Sequence, residues 1–336
     1  MKHNYWEVVQ AMPAAELASL LRRFEDMGIY GIWSPQLFSP PFPTLAAAAM
    51  ASTKLQLGSG IALAFTRSPL ETALSALDID RLSGGRMVLG LGTSVGRFNE
   101  EFHGVTYGKP VAHLREATEA IRAVIEQGHT GNLGLIDGEY YKLDLRGFNV
   151  GRKPVRDSIP IWISALFSSA VDSALKIADG LIGHPVWSLA TISENAGRID
   201  RALASSGRAR ANFHLNLWSY AAVANDRKTA IDDMRGTVAF YAGIKQYEKH
   251  YQAHGFGDAA RAISEASARR DTAAMLKAVP DEMVTTFAIA GTPDETRERV
   301  NRMWEYANSM TLTPPHYLIP ADRIAHYHEA IANTFY

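Results

Sequence analysis

The sequence predicts an α/β fold, a single (β/α)8 TIM barrel over residues 1–336, and three observations lead there. Short apolar runs of strand length alternate along the chain with longer stretches of helical spacing. About eight such units can be counted. Strands that each feed a crossover helix lie parallel, and at this count right-handed crossovers favour closure into a barrel over an open doubly wound sheet. Two insertions interrupt the pattern, at about 128–158 after the fourth helix and at about 245–286 within the connection from strand seven to strand eight.

Taken in order, the first strand lies near Tyr5 to Val9, and Ala11 to Met27 spaces its apolar residues as a helix that ends at Gly28. Ile29 to Trp33 is strand-like and runs into a proline-rich turn of Pro35, Pro40, Pro41 and Pro43. A helix is expected over Thr44–Met50, then a strand over Leu55–Leu63. Pro69 sits in the first turn of the next helix, in which Leu74, Leu77, Ile79 and Leu82 keep roughly helical spacing. Gly84 and Gly85 tolerate the positive φ of a helix C-cap, and Met87–Leu91 is a short run suited to a strand buried on both faces. A polar loop, a helix from about Val111 to Gln127 and a turn-rich insertion with a hairpin follow. Ile159–Ala165, Gly180–Gly183 and Phe213–Val223 are the next strands, with helices over Ser168–Ala178, Leu189–Ser206 and Asp226–Tyr241. The segment from Lys245 to Glu282 is helical without an obvious strand. Thr292-Pro-Asp-Glu opens a capped helix, Ser309–Thr313 is the last strand and Asp322–Phe335 the closing helix.

Composition narrows the function classes. Hydrophobic residues make up 47% and charged residues 21%, as in an ordinary globular enzyme. Lys plus Arg number 34 against 35 for Asp plus Glu, so bulk charge draws the chain to neither nucleic acid nor an anionic membrane. With no cysteine there is no disulfide, thiolate nucleophile or Cys-based metal site. The opening MKHNYWEVV lacks the apolar core of a secretory signal, and no apolar run reaches the ~20 residues of a membrane span, so a cytoplasmic location is expected.

In a barrel the active site lies at the carboxyl ends of the strands, which points to Gln36, Gly60, Phe65, Thr66, Thr93, Ser94, Ser164, His184 and Trp218. Gly90 and Gly92 begin a dinucleotide-like pattern, but the third glycine is Gly96, one residue late for GxGxxG. No nucleophile elbow, P-loop, HExxH or EF-hand occurs. His250 and His254 have the i, i+4 spacing of a metal chelate but lack a nearby third ligand, so a helix face is the simpler reading and no metal is expected. His184, in GHPVW at a strand end, is the candidate proton donor, with a hydrogen-bonded structural role as its alternative. Glu100, Glu101 and His103 of NEEFHG could act in catalysis or fix a loop. Met234, Phe240, Tyr241, Tyr247 and Tyr251 read as helix packing, with some able to wall an apolar ligand pocket.

LDIDRLSGGRMVLGLGTS at 77–94, the following NEEFHG, Arg115-Glu116, GEYY at 138, IPIWIS at 159, ADG at 178 and AGTPDE at 290 together resemble the bacterial-luciferase-like flavin and deazaflavin oxidoreductases, in particular the branch that uses coenzyme F420. The resemblance covers nearly the whole chain. It implies a TIM barrel, commonly a homodimer, with an isoalloxazine-type ring at the strand ends. By position it implies a nonprolyl cis peptide at Gly60-Ile61 behind the ring, ring contacts from Gln36, Gly92, Thr93 and Ser94, and a phosphate loop over Ser164, Ala165, Phe167 and Ser168 at a helix N-terminus. Here SALFSS replaces the family's glycine-rich loop. Sugar-phosphate dehydrogenases of the family carry an Asp-His pair where this chain has Gln36-Leu37, and a lysine where it has His184-Pro-Val-Trp187. A neutral amide cannot take a hydroxyl proton, so that chemistry is set aside.

The resemblance then implies hydride transfer between F420 and a small apolar or heteroaromatic substrate, held near Phe65, Thr66, Trp187 and Trp218 with His184 as the catalytic candidate. The alternatives are an FMNH2-dependent monooxygenase served by a separate reductase, and a noncatalytic flavin-binding barrel.

Overall fold

The computed structural model describes residues 3–37 and 39–336. Eight parallel strands close a barrel: β1 (Tyr5–Val8), β2 (Gly31–Ser34), β3 (Gln56–Ser59), β4 (Met87–Gly92), β5 (Ile161–Ala165), β6 (Gly180–Gly183), β7 (His214–Val223) and β8 (Ser309–Thr313). Each pairs with its neighbours in chain order, and β8 returns to β1 with Met310 opposite Tyr5 and Thr311 opposite Trp6. The helices α1 (Ala14–Met27), α2 (Pro41–Ala51), α3 (Pro69–Ser83), α4 (Pro110–Gln127), α5 (Ser168–Ile177), α6 (Leu189–Ser205), α7 (Arg227–Ala242), α8 (Pro293–Trp304) and α9 (Ala321–Phe335) surround it. No helix among the described residues is long and apolar enough to cross a membrane.

Three details differ from the sequence reading. α2 begins at Pro41 rather than Thr44, because prolines suit a first helical turn, whose N–H groups have no intrahelical acceptor. The run Leu55–Leu63 breaks at Ser59, where the Gly60–Ile61 peptide is cis as the resemblance implies, and Ala62–Leu63 resumes beside Leu91 and Gly92 of β4. A short strand, Ile289–Gly291, extends the sheet against Ala221–Val223 of β7. The first insertion carries the expected hairpin, Leu135–Asp137 against Lys142–Asp144, and the second is a chain of short helices.

Local chemistry at the amino-terminal end of the barrel explains much of LDIDRLSGGRM. Gly84 and Gly85 take positive φ and end α3. The Arg86 guanidinium then donates to the carbonyls of Ala49, Ser52, Leu55 and Ser83, closing the ends of α2 and α3. Asp80 is 2% exposed and accepts from Arg156 and from the Met87 amide, so an ion pair pins the first insertion to the start of β4. Glu116 does the same at the hairpin tip, where its carboxylate accepts from the amides of Glu139, Tyr140 and Tyr141.

Inside the barrel, tryptophans fill the space. Trp6 and Trp33 stack at 4.0 Å and Trp162 meets both edge-on at 5.6 Å. A Cβ on Gly58 would fall 2.1 Å from the Trp33 ring, so glycine there makes the packing possible. The Trp33 indole donates to Thr311, which donates to Asn216, which donates to Ser309, so the buried polar groups of β7 and β8 satisfy one another. This plug is the floor of the site.

Candidate active site

Above it, the carboxyl ends of the strands enclose a cavity of about 880 Å3. Its lining includes Gln36, Gly60, Ile61, Gly92, Thr93, Ser94, Ser164, Ala165, Phe167, His184 and Trp218 from the sequence-derived set. Phe65, Thr66, Trp187 and Ser168 do not line it. Phe65 is buried against His113, ring to ring at 3.7 Å; Trp187 is buried with its indole donating to the Leu166 carbonyl; Ser168 is exposed at the start of α5, where Ser169 faces the cavity instead.

The bed of the cavity is Ile61 and Gly92. A Cβ on Gly92 would lie 2.1 Å from Ile61 Cδ1 and 3.5 Å from Ser164 Cβ, so the glycine leaves the room that the Ile61 side chain occupies. Gln36 stitches the Gly60–Ile61 bulge in place: its amide N–H donates to the Ile61 carbonyl, its Oε1 accepts from the Leu63 amide at 3.0 Å and from Arg67 at 2.8 Å, and its Nε2 donates to Thr66 Oγ1 at 3.0 Å. Burial pushes the Arg67 guanidinium down from its usual value, and its carbon stands 5.3 Å over the Phe42 ring. Thr66 and Arg67 therefore act on the site through Gln36.

Just past the end of β4, Ser94 holds φ of 53°, with its carbonyl accepting from Tyr107 Oη at 2.8 Å and from Thr93 Oγ1. Asn99, fully buried, donates to the Thr93 and Val95 carbonyls. In NEEFHG it is thus the asparagine that shapes the loop, while Glu100, Glu101 and His103 face solvent. At β5, α5 starts with Phe167 at its N-cap and no side-chain cap, and Ser169 and Ser173 continue the cavity along the helix against Val111 and Leu114 of α4.

The opposite side is phenolic. Tyr107, Tyr220, Tyr241, Tyr247 and Tyr317 line it with Phe240, and burial pushes each of the five hydroxyls above the usual tyrosine value. Tyr220 and Tyr241 share a hydrogen bond of 3.0 Å, and His184 Nε2 lies 3.2 Å from Tyr247 Oη. Burial, helped by repulsion from His250, pushes His184 down to about 3, so the ring is neutral at ordinary pH. The charged side chains among the described lining residues are Lys245, Glu248 and Lys249.

Tyr107, Tyr220 and Tyr317 escaped the sequence reading. Tyr220 could have been found, since it stands two residues from Trp218 on one face of β7. Of the methionine and aromatic residues named above, Phe240, Tyr241 and Tyr247 face the cavity while Met234 and Tyr251 belong to the core. His250 and His254 reach the loop after β6: His250 Nε2 contacts the Val186 carbonyl at 2.9 Å and His254 Nε2 contacts Ser188 Oγ at 2.8 Å. No group of three or more metal-ligating side chains exists among the described residues.

Comparison with known proteins matches residues 2–308 to the family described as luciferase-like monooxygenase. A 5,10-methylenetetrahydromethanopterin reductase of Archaeoglobus fulgidus is 32% identical over 306 residues, 88% of each chain. The structure of the coenzyme F420-dependent tetrahydromethanopterin reductase from Methanopyrus kandleri superposes with a TM-score of 0.80 at 21% identity, covering 99% of this chain and 98% of that one. The FMN-bound oxygenating constituent of 3,6-diketocamphane monooxygenase from Pseudomonas putida does so with a TM-score of 0.67 at 14% identity, covering 99% and 98%.

Proposed function

Since the chain belongs to the luciferase-like monooxygenase family, whose members include F420-dependent oxidoreductases and flavin-dependent monooxygenases, we propose that it transfers a hydride between F420 and a small, largely apolar or heteroaromatic molecule. The observation that carries this reading is one continuous cavity, which runs from the start of α5, over Gly92 and Ile61, to His184 and the tyrosines. At about 880 Å3 it has room for a ring and a small partner together.

The residues present fit a deazaflavin. The Ile61 side chain, lying over Gly92, offers an apolar bed; Thr93, Ser94 and Gln36 offer polar edges; and the amides at the start of α5 suit a phosphate. Lys245 and Lys249 suit an acidic tail. When bound, the cofactor supplies or accepts the hydride. The protein holds the two reactants face to face, excludes water with its aromatic wall and gives a neutral hydrogen-bonding surface of phenols and imidazole on the substrate side. Among the described residues the lining carries one carboxylate, Glu248, which argues against a strongly cationic substrate.

An absorbance titration with F420 tests the reading, with FMN in a parallel arm. Saturable binding of F420 in the micromolar range is expected; binding of FMN alone, with oxygen uptake on reduction, would replace it with the monooxygenase reading. Binding of either without turnover of any acceptor would make the protein a flavin-binding barrel without catalysis.

A further inference from the structure

One arrangement of the hydrogen atoms around His184 satisfies both of its ring contacts. The Val186 backbone N–H points at His184 Nδ1 from 3.4 Å, so Nδ1 is the acceptor of that contact. A neutral imidazole has one N–H, and with Nδ1 accepting, that proton sits on Nε2. Nε2 faces Tyr247 Oη at 3.2 Å, hence the imidazole donates and the phenol oxygen accepts. The reverse tautomer would set the Nδ1–H against the Val186 N–H, two donors facing each other. The Tyr247 hydrogen is therefore turned away from His184, and Tyr247 lines the cavity.

Other contacts hold this geometry. The Val186 carbonyl contacts His250 Nε2 at 2.9 Å, and the Trp187 amide donates to the His184 carbonyl at 2.9 Å, so the backbone that sets the tautomer is itself tied to the second insertion. Tyr241 packs edge-on against the His184 ring with centroids 5.6 Å apart, and Tyr247 runs parallel to Tyr241 at 6.4 Å. The groups that face the pair, His250, Tyr107, Tyr241 and Tyr317, are neutral in their ordinary forms here: burial lowers His250 to about 4 and raises the phenols. Burial also keeps His184 in the one-proton state that the arrangement needs.

We infer that Tyr247 is the catalytic hydrogen-bond donor to the substrate, that His184 is its positioning residue, and that the substrate presents a carbonyl oxygen or imine nitrogen to the phenol. This rests on the reading of the cavity as the hydride-transfer site. Reduction of a C=O or C=N bond places negative charge on the heteroatom, and a preorganised donor in a dry site stabilises that charge. An imidazole N–H donating to the phenol oxygen polarises the O–H bond and strengthens the donor. An unactivated hydrocarbon gains nothing from this arrangement.

Two measurements on the full-length protein test it. In the first, histidine ring 15N shifts are recorded from pH 5 to 9, with His184 assigned by its loss in His184→Gln. The expected pattern is protonated Nε2 and bare Nδ1 throughout; an Nδ1–H ring, or a doubly protonated ring at pH 5, would overturn the inference. In the second, the aldehyde dye 4-dimethylaminocinnamaldehyde is added, since its absorption moves to the red when its carbonyl accepts a strong hydrogen bond. A red shift is expected in the wild type, absent in Tyr247→Phe, weakened in His184→Leu and recovered in His184→Gln, whose amide can still donate to Tyr247. No shift in the wild type, or an equal shift in Tyr247→Phe, counts against the donor. Neither measurement uses F420, so failure of the cofactor titration would sink the cofactor reading and leave these results to judge Tyr247.

Discussion

Glu7 allows a stability prediction with a worked magnitude. It points outward from β1, 5% exposed, and burial raises its carboxyl from 4.5 to about 7, partly offset by the Tyr336 hydroxyl and the Val8 amide. A carboxyl raised on folding binds its proton more tightly in the native state. Its favourable contribution is thus complete below the unfolded value of 4.5 and lost as pH rises through 7. The full difference of about 2.5 pH units corresponds to roughly 3 kcal/mol, nearly all of it realised by pH 8.5, whereas at pH 5 the loss is about 1 kcal/mol. Glu7→Gln keeps the shape and removes the ionisation. Relative to wild type, the variant is expected to gain roughly 2 kcal/mol of stability between pH 5 and 8.5. Urea unfolding at the two pH values, followed by both tryptophan fluorescence and far-UV circular dichroism, measures the gain. A difference between the two proteins that stays constant with pH would refute the reasoning.

Three other perturbations probe the site and its supports. Gly92→Val sets a side chain against Ile61 and Ser164, and is expected to weaken F420 binding about tenfold or more, at least 1.4 kcal/mol, with an unchanged circular dichroism spectrum; undiminished affinity would remove Gly92 from the cofactor bed. Asp80→Ala leaves the Arg156 guanidinium without its buried partner and should cost about 3 kcal/mol in urea unfolding, a loss below about 1 kcal/mol showing that the ion pair is dispensable. Glu116→Gln removes the charge that receives the Glu139, Tyr140 and Tyr141 amides, a local loss of about 2 kcal/mol. Hydrogen exchange at those amides should quicken, and unchanged exchange would mean that other contacts hold the hairpin tip.

Several residues carried different information from what their place in the sequence suggested. The Arg115-Glu116 and GEYY signatures, twenty-odd residues apart, form one structural clasp, and neither stretch faces the cavity. LSGGR closes helix ends at the foot of the barrel, while the outlet a few residues later, Gly92 to Ser94, lines its mouth. The strand between them is what joins a structural feature to a functional one. Phe65 and Thr66 sit beside the cis bulge in sequence yet turn away from the cavity, toward His113 and Gln36.

The sequence by itself determined the barrel, the order of its strands, the family and the end of the barrel at which the cavity opens. The barrel and its strand order follow from apolar periodicity and strand–helix alternation, which each short segment expresses through its own backbone preferences, and the family from motifs such as LDIDRLSGGRMVLGLGTS and AGTPDE. The tertiary structure decided which side chains enter the cavity and what they do there. His184 meets Tyr247 across 63 positions, and Gln36 meets Arg67 across 31. Loop side chains take their directions from packing against such distant partners, and no local pattern records that. The tautomer of His184, from which the role of Tyr247 follows, depends on one backbone amide two residues away in a loop whose shape the second insertion holds.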